Sequence, residues 1–112
     1  MDSIQKEIDG MAKDLGFLVI SIKNLFKNME SILEREDVED FLYAFKHFHR
    51  LIGEIFATAT VVKKFYANNN DLISKVDSLL IEVYELLEKV DDVEQKYLEI
   101  LKRKYCMKSP YQ

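Results

Sequence analysis

The sequence predicts an all-α protein, an antiparallel up-down-up three-helix bundle with coiled-coil-like heptad seams. Three observations carry this. Apolar residues recur along the chain in three series at alternating steps of three and four, the repeat that keeps side chains on one helical face. Two short polar runs separate the series. Only three Gly and one Pro occur in 112 residues, so little in the chain breaks a helix.

The first series is Ile4, Ile8, Met11, Leu15, Leu18, Ile22, Leu25, Met29 and Ile32, which predicts a helix over about 2–34. Gly10 and Gly16 lie inside it and make it the helix expected to bend. Glu34-Arg35-Glu36-Asp37 interrupts the pattern, and Asp37 has the side chain to cap a following helix. The second series is Val38, Phe41, Phe45, Phe48, Ile52, Ile55, Ala59, Val62 and Tyr66, predicting a helix over about 38–67. Leu42, Leu51 and Phe56 widen its apolar arc, so it is expected to face both neighbours. Gly53, near Ala57 and Ala59, reads as a point of close helix packing. Asn68-Asn69-Asn70-Asp71 is the second interruption, rich in residues that turn the chain and cap helices. The third series is Leu72, Val76, Leu79, Val83, Leu86, Val90, Val93, Tyr97 and Ile100, predicting a helix over about 71–106. Residues 107–112, with Pro110, are expected to fray.

Helices of about 30 residues are about 45 Å long at 1.5 Å per residue. Connections this short force successive helices to run antiparallel. Rods of equal length bury their seams from end to end, and the whole chain, 1–112, is expected to be one domain, since half of it would be too small to bury an adequate core.

Composition narrows the function. With 48% hydrophobic and 32% charged residues the chain is suited to folding rather than to disorder. No apolar run in it approaches the roughly 20 residues that span a bilayer, so no membrane insertion is expected. The amino terminus has no basic start followed by an apolar run, and the lone Cys106 can form no intrachain disulfide; both fit a cytoplasmic setting. The net charge of −4 offers no global reason to bind nucleic acid.

The residues able to carry chemistry do not combine. His47 and His49 are two apart, which turns them about 200° from each other on a helix, and neither has an acidic residue three positions before it, so they form no di-metal signature. His49 borders the seam beside Phe45 and Phe56 and reads as a partly buried structural residue. Cys106 has Lys102, Arg103, Lys104 and Lys108 nearby to favour thiolate but no histidine in local sequence to act as base, and reads as a free thiol. No phosphate-binding glycine loop, nucleophile elbow or zinc-binding pair is present. The expectation is a protein with no catalytic, cofactor-binding or metal-binding residues, hence no enzyme.

Two surface features remain. Along the third helix Glu82, Glu85, Glu88, Asp91, Asp92, Glu94 and Glu99 outweigh Lys89 and Lys96, making an acidic outer surface. Lys102, Arg103, Lys104 and Lys108 follow, with Tyr105 and Tyr111 among them. These four cations are candidate anion-binding residues, though cations at a helix carboxyl end also complement its dipole. More informative are apolar residues off the seams: Phe17, Ile20, Val61, Phe65 and Ile81, which we identify as candidate partner-binding residues. Phe17 and Ile20 make the first helix apolar nearly all round, and a lone three-helix bundle has no fourth helix to cover them. The expected function is a non-enzymatic helical protein–protein interaction module, a small adaptor or accessory subunit able to self-associate, whose partner is another protein or a second copy. The alternative is a nucleic-acid-associated factor that uses the basic carboxyl-terminal tail.

Overall fold

The computed structural model describes residues 2–105. They form three helices, α1 (Asp2–Glu34), α2 (Val38–Phe65) and α3 (Asn70–Lys104), each packed against the other two in a three-helix bundle with no strand among the described residues. Cys106, Lys108, Pro110 and the tail 107–112 lie outside the described residues.

Local chemistry sets each boundary. At the end of α1 the Glu36 amide donates to the Leu33 carbonyl at 2.9 Å and the Asp37 amide to the Ile32 carbonyl at 3.3 Å. This pair of bonds closes the helix as a Schellman motif. Its left-handed position, usually glycine, is Glu36 at φ 56°, the one positive φ among the described residues. Asp37 then caps α2 as expected, its Oδ1 accepting from the Asp40 amide at 3.1 Å. α2 ends at Phe65, two residues sooner than the apolar series predicts, because residues 66–68 turn. Asn69 caps α3 through Oδ1 and the Leu72 amide at 3.1 Å, so α3 starts at Asn70 rather than at 71.

The ends of the helices meet in a defined way. Tyr66, just past the end of α2, donates its hydroxyl hydrogen bond to Asp9 near the start of α1. The Tyr97 hydroxyl, late in α3, donates to the Val38 carbonyl at the start of α2, at 3.2 Å. Arg103 at the end of α3 pairs with Glu36 at the end of α1. The helices are 33, 28 and 35 residues long, which corrects the expectation of equal rods. The cover that α2 gives to α1 stops near Asp9. Ile4, five residues earlier and in phase with the core, is 56% exposed.

The core is wholly apolar: no buried side chain is polar or charged among the described residues. Phe41, Phe48, Ile55 and Val62 from α2 are fully enclosed, with Leu15, Ile22 and Met29 from α1 and Val83 from α3. The α2 and α3 series point inward much as their spacing predicts. In α1 the buried residues are Ile8, Leu15, Val19, Ile22, Phe26, Met29, Ile32 and Leu33, whereas Met11, Leu18 and Leu25 are half-buried. The inward face of α1 thus keeps five of the nine expected seam residues, Ile8, Leu15, Ile22, Met29 and Ile32, and widens to take in Val19, Phe26 and Leu33. A helix wedged against two others needs an arc wider than a two-stranded seam, and that arc here centres between the two rows.

Three further expectations are corrected. Leu42 is exposed rather than an extension of the core. Gly53 is not a point of close packing, because a Cβ placed there meets nothing within 4 Å. His49 is exposed rather than partly buried, though its ring packs edge-on against Phe45 with centroids 4.5 Å apart.

Candidate functional site

With the core closed, what the bundle offers is its outer surface. Phe17 is 69% exposed, Ile20 56%, Val61 42%, Phe65 46% and Ile81 57%. All five residues singled out as off-seam are on the outside. Phe17 stands at the rim of a shallow groove of about 340 Å³ between α1 and α2, which Met11, Asp14, Leu18 and Ser21 line from α1 and Glu54 and Thr58 from α2. Val61 and Phe65 lie on α2, and Phe65 packs edge-on against Tyr66, centroids 4.9 Å apart. Ile81 lies on α3, three residues before Tyr84, which is also exposed and packs against Phe56.

The charges around these residues are sorted by face. Stepping outward along α1 by threes and fours from Phe17 and Ile20 gives Lys6, Gly10 and Lys13 on one side and Asn24, Asn28 and Ser31 on the other, with Arg35 in the turn. This stripe is predominantly basic and neutral, although Asp9 lies as near its axis as Gly10 and Asn28 do, and Asp14 lies one turn before Phe17. The corresponding stripe of α3 is Ser74, Asp77, Ile81, Glu85, Glu88, Asp92, Gln95 and Glu99, acidic and neutral as far as Glu99, with Arg103 one turn further on. Sequence reading found the acidic side of α3 but missed the basic stripe of α1, because the acidic Glu7, Asp9, Asp14, Glu30 and Glu34 hide it in any linear count. Extending the Phe17–Ile20 pair at helical spacing would have revealed it.

The basic end of α3 has an internal partner. Arg103 reaches Glu36 at 2.6 Å, and Lys104 donates to the Glu36 carbonyl at 2.9 Å with its ammonium 3.8 Å from the carboxylate. The Arg103 hydrogen bond, helped by the charges of Arg103 and Lys104, holds the Glu36 carboxyl below its ordinary value against the opposing effect of burial. Two of the four candidate anion-binding cations thus tie the end of α3 to the turn between α1 and α2. Lys102 is exposed, and Lys108 lies outside the described residues.

Elsewhere, Lys23 on α1 pairs with Glu82 on α3, and Lys63 on α2 with Asp77 on α3 at 2.6 Å. The hydrogen bond to Asp9 raises the Tyr66 hydroxyl above its ordinary pKa, and burial raises that of Tyr97. No group of three His, Cys, Asp or Glu side chains able to hold a metal ion occurs among the described residues. No described helix is long and apolar enough to cross a membrane. Comparison of the chain with protein-family models, with curated proteins and with solved structures found no match.

Proposed function

We propose that the protein is a helical interaction module that docks onto another protein chain through the outward face of α1 around Phe17 and Ile20. The observation that carries this reading is the exposure of an aromatic and a branched aliphatic side chain one turn apart on a bundle whose core is already complete without them. Apolar side chains grouped at helical spacing on a charged surface suit a helix-to-helix contact, in which they supply the desolvated centre and the surrounding Lys and Asn residues the polar rim. Val61 and Phe65 on α2 and Ile81 on α3 are further exposed apolar side chains, on faces of their own. An adaptor or accessory subunit needs no catalytic group, and the function proposed is binding, without catalysis, in the cytoplasm.

The nucleic-acid reading is less well supported, because Arg103 and Lys104 are engaged with Glu36 and the remaining outer surface of α3 is acidic. The test is affinity capture from the native host with wild-type protein and with Phe17→Glu/Ile20→Lys. Proteins held by the wild type and lost by the double variant, at unchanged helicity and melting, support the module. An identical set of captured proteins contradicts it.

A further inference from the structure

Six positions of the basic α1 stripe match residues of the outer α3 face, with Tyr84 entering in place of Glu85. Adding 64 to each α1 residue number converts Lys13, Phe17, Ile20, Asn24, Asn28 and Arg35 into Asp77, Ile81, Tyr84, Glu88, Asp92 and Glu99. Basic meets acidic at both ends, Lys13 joining Lys63 at Asp77, exposed apolar meets exposed apolar in the middle, and an amide donor meets a carboxylate between. No like charges face each other in this register.

We propose that the occupant of the α1 face is the α3 face of a second copy of this chain, laid parallel, so that copies join head to tail. This rests on the interaction-module reading and names its partner. The two faces lie on different helices and point away from the core in different directions, so one contact leaves an unused α1 face on one copy and an unused α3 face on the other. Contacts of this heterologous kind repeat rather than close. Within one chain the Lys23–Glu82 pair sets α1 against α3 at a separation of 59 residues, whereas the matching of the stripes requires 64. At the other end of the same two helices the Glu36–Arg103 pair stands at a separation of 67, so copies joined at 64 lie nearly level along the bundle axis. Opposite charges steer and align the copies, and burial of Phe17 and Ile20 against Ile81 and Tyr84 holds them. An anionic lipid surface could also receive the Lys6, Lys13 and Phe17 face, but it leaves the acidic, apolar-centred stripe of α3 without a role.

The experiment uses full-length protein and two face variants, Phe17→Glu/Ile20→Glu on α1 and Ile81→Lys/Tyr84→Lys on α3, followed by sedimentation velocity. Wild type is expected to grow beyond a dimer as concentration rises and to associate more than about tenfold more weakly when salt goes from about 50 to about 500 mM. Each variant alone is expected to be monomeric. Their equimolar mixture is expected to stop at a one-to-one pair, because one intact α1 face and one intact α3 face remain. A second set, Lys13→Glu/Arg35→Glu and Glu88→Lys/Glu99→Lys, repeats the mixing with the apolar residues intact and serves if circular dichroism shows a first-set variant to be unfolded. A wild type that stays monomeric, a wild type that stops at a dimer, a mixture of variants that does not pair, or binding of monomers to phosphatidylserine vesicles would each overturn the proposal. Monomeric wild type that still captures host proteins through Phe17 and Ile20 overturns only the second-copy assignment; loss of both effects overturns the module itself.

Discussion

Arg103, at the last turn of α3, holds Glu36, the residue that takes the left-handed position between α1 and α2, with their charged groups 2.6 Å apart. A carboxylate stands where glycine is the usual choice, and its partners come from the far end of the chain. The turn and the end of α3 are thereby coupled across 67 residues of sequence.

The coupling has a pH signature. Glu36 is held below its ordinary value of 4.5 in the folded protein, so its pairing stabilises the fold above that pH and is lost as pH falls through the depressed value. Asp40 acts in the opposite direction, since its hydrogen bond with Asp37 and the charge of Asp37 raise its pKa. Melting temperature followed from neutral to acid pH is expected to fall less steeply in Glu36→Gln than in wild type, with the variant already lower at pH 7. Parallel curves would show the pair to be without effect.

Removal of Lys102 to Gln112 takes away both cations that hold Glu36. The truncated chain is expected to melt a few degrees below wild type, and Glu36→Gln is expected to cost nothing further in that background. Additive losses in this double-mutant cycle would separate the two ends.

The three glycines are expected to be sites of stabilisation. Gly10, Gly16 and Gly53 sit inside helices where an added Cβ meets nothing within 4 Å. Each Gly→Ala change should therefore add roughly 0.5–1 kcal/mol through helix propensity and the unfolded chain. Denaturant midpoints check this, and a lower midpoint at Gly53 would restore the close packing that the structure does not show.

Phe48 and Phe17 are both phenylalanines on helices, one fully enclosed and one mostly exposed. Phe48→Ala is expected to cost about 3–5 kcal/mol by loss of burial and creation of a cavity. Phe17→Ala is expected to change folding stability by less than about 0.5 kcal/mol. Equal losses in urea unfolding would contradict the division between core and surface.

The structure explains which parts of this division are legible in sequence. Asp37 announces the start of α2, and Phe41, Phe48, Ile55 and Val62 announce its inward face, since one row of residues at helical spacing holds nearly all of them. The inward face of α1 is less legible because Leu18 and Val19 are adjacent and both apolar. Only packing against two neighbours selects Val19. Ile4 is misread for a different reason: spacing reports phase around a helix but not where the neighbouring helix ends. The role of Arg103 and Lys104 is hidden because it depends on Glu36, which lies far away in sequence and has an unusual backbone conformation. The outward placement of Phe17 and Ile20 is legible, since their phase alone excludes them from the seam.

Core and docking face are separated along α1 by two consecutive residues. Val19 is 1% exposed and Ile20 is 56% exposed, so the same substitution at each should give opposite results. Thermal melting of Val19→Lys is expected to show a protein destabilised by several kcal/mol, about 3 or more, because a charge is forced into an apolar core. Ile20→Lys is expected to melt within a degree or two of wild type. A stable Val19→Lys beside an unfolded Ile20→Lys would contradict the account, since it would place the core on the face assigned here to the partner.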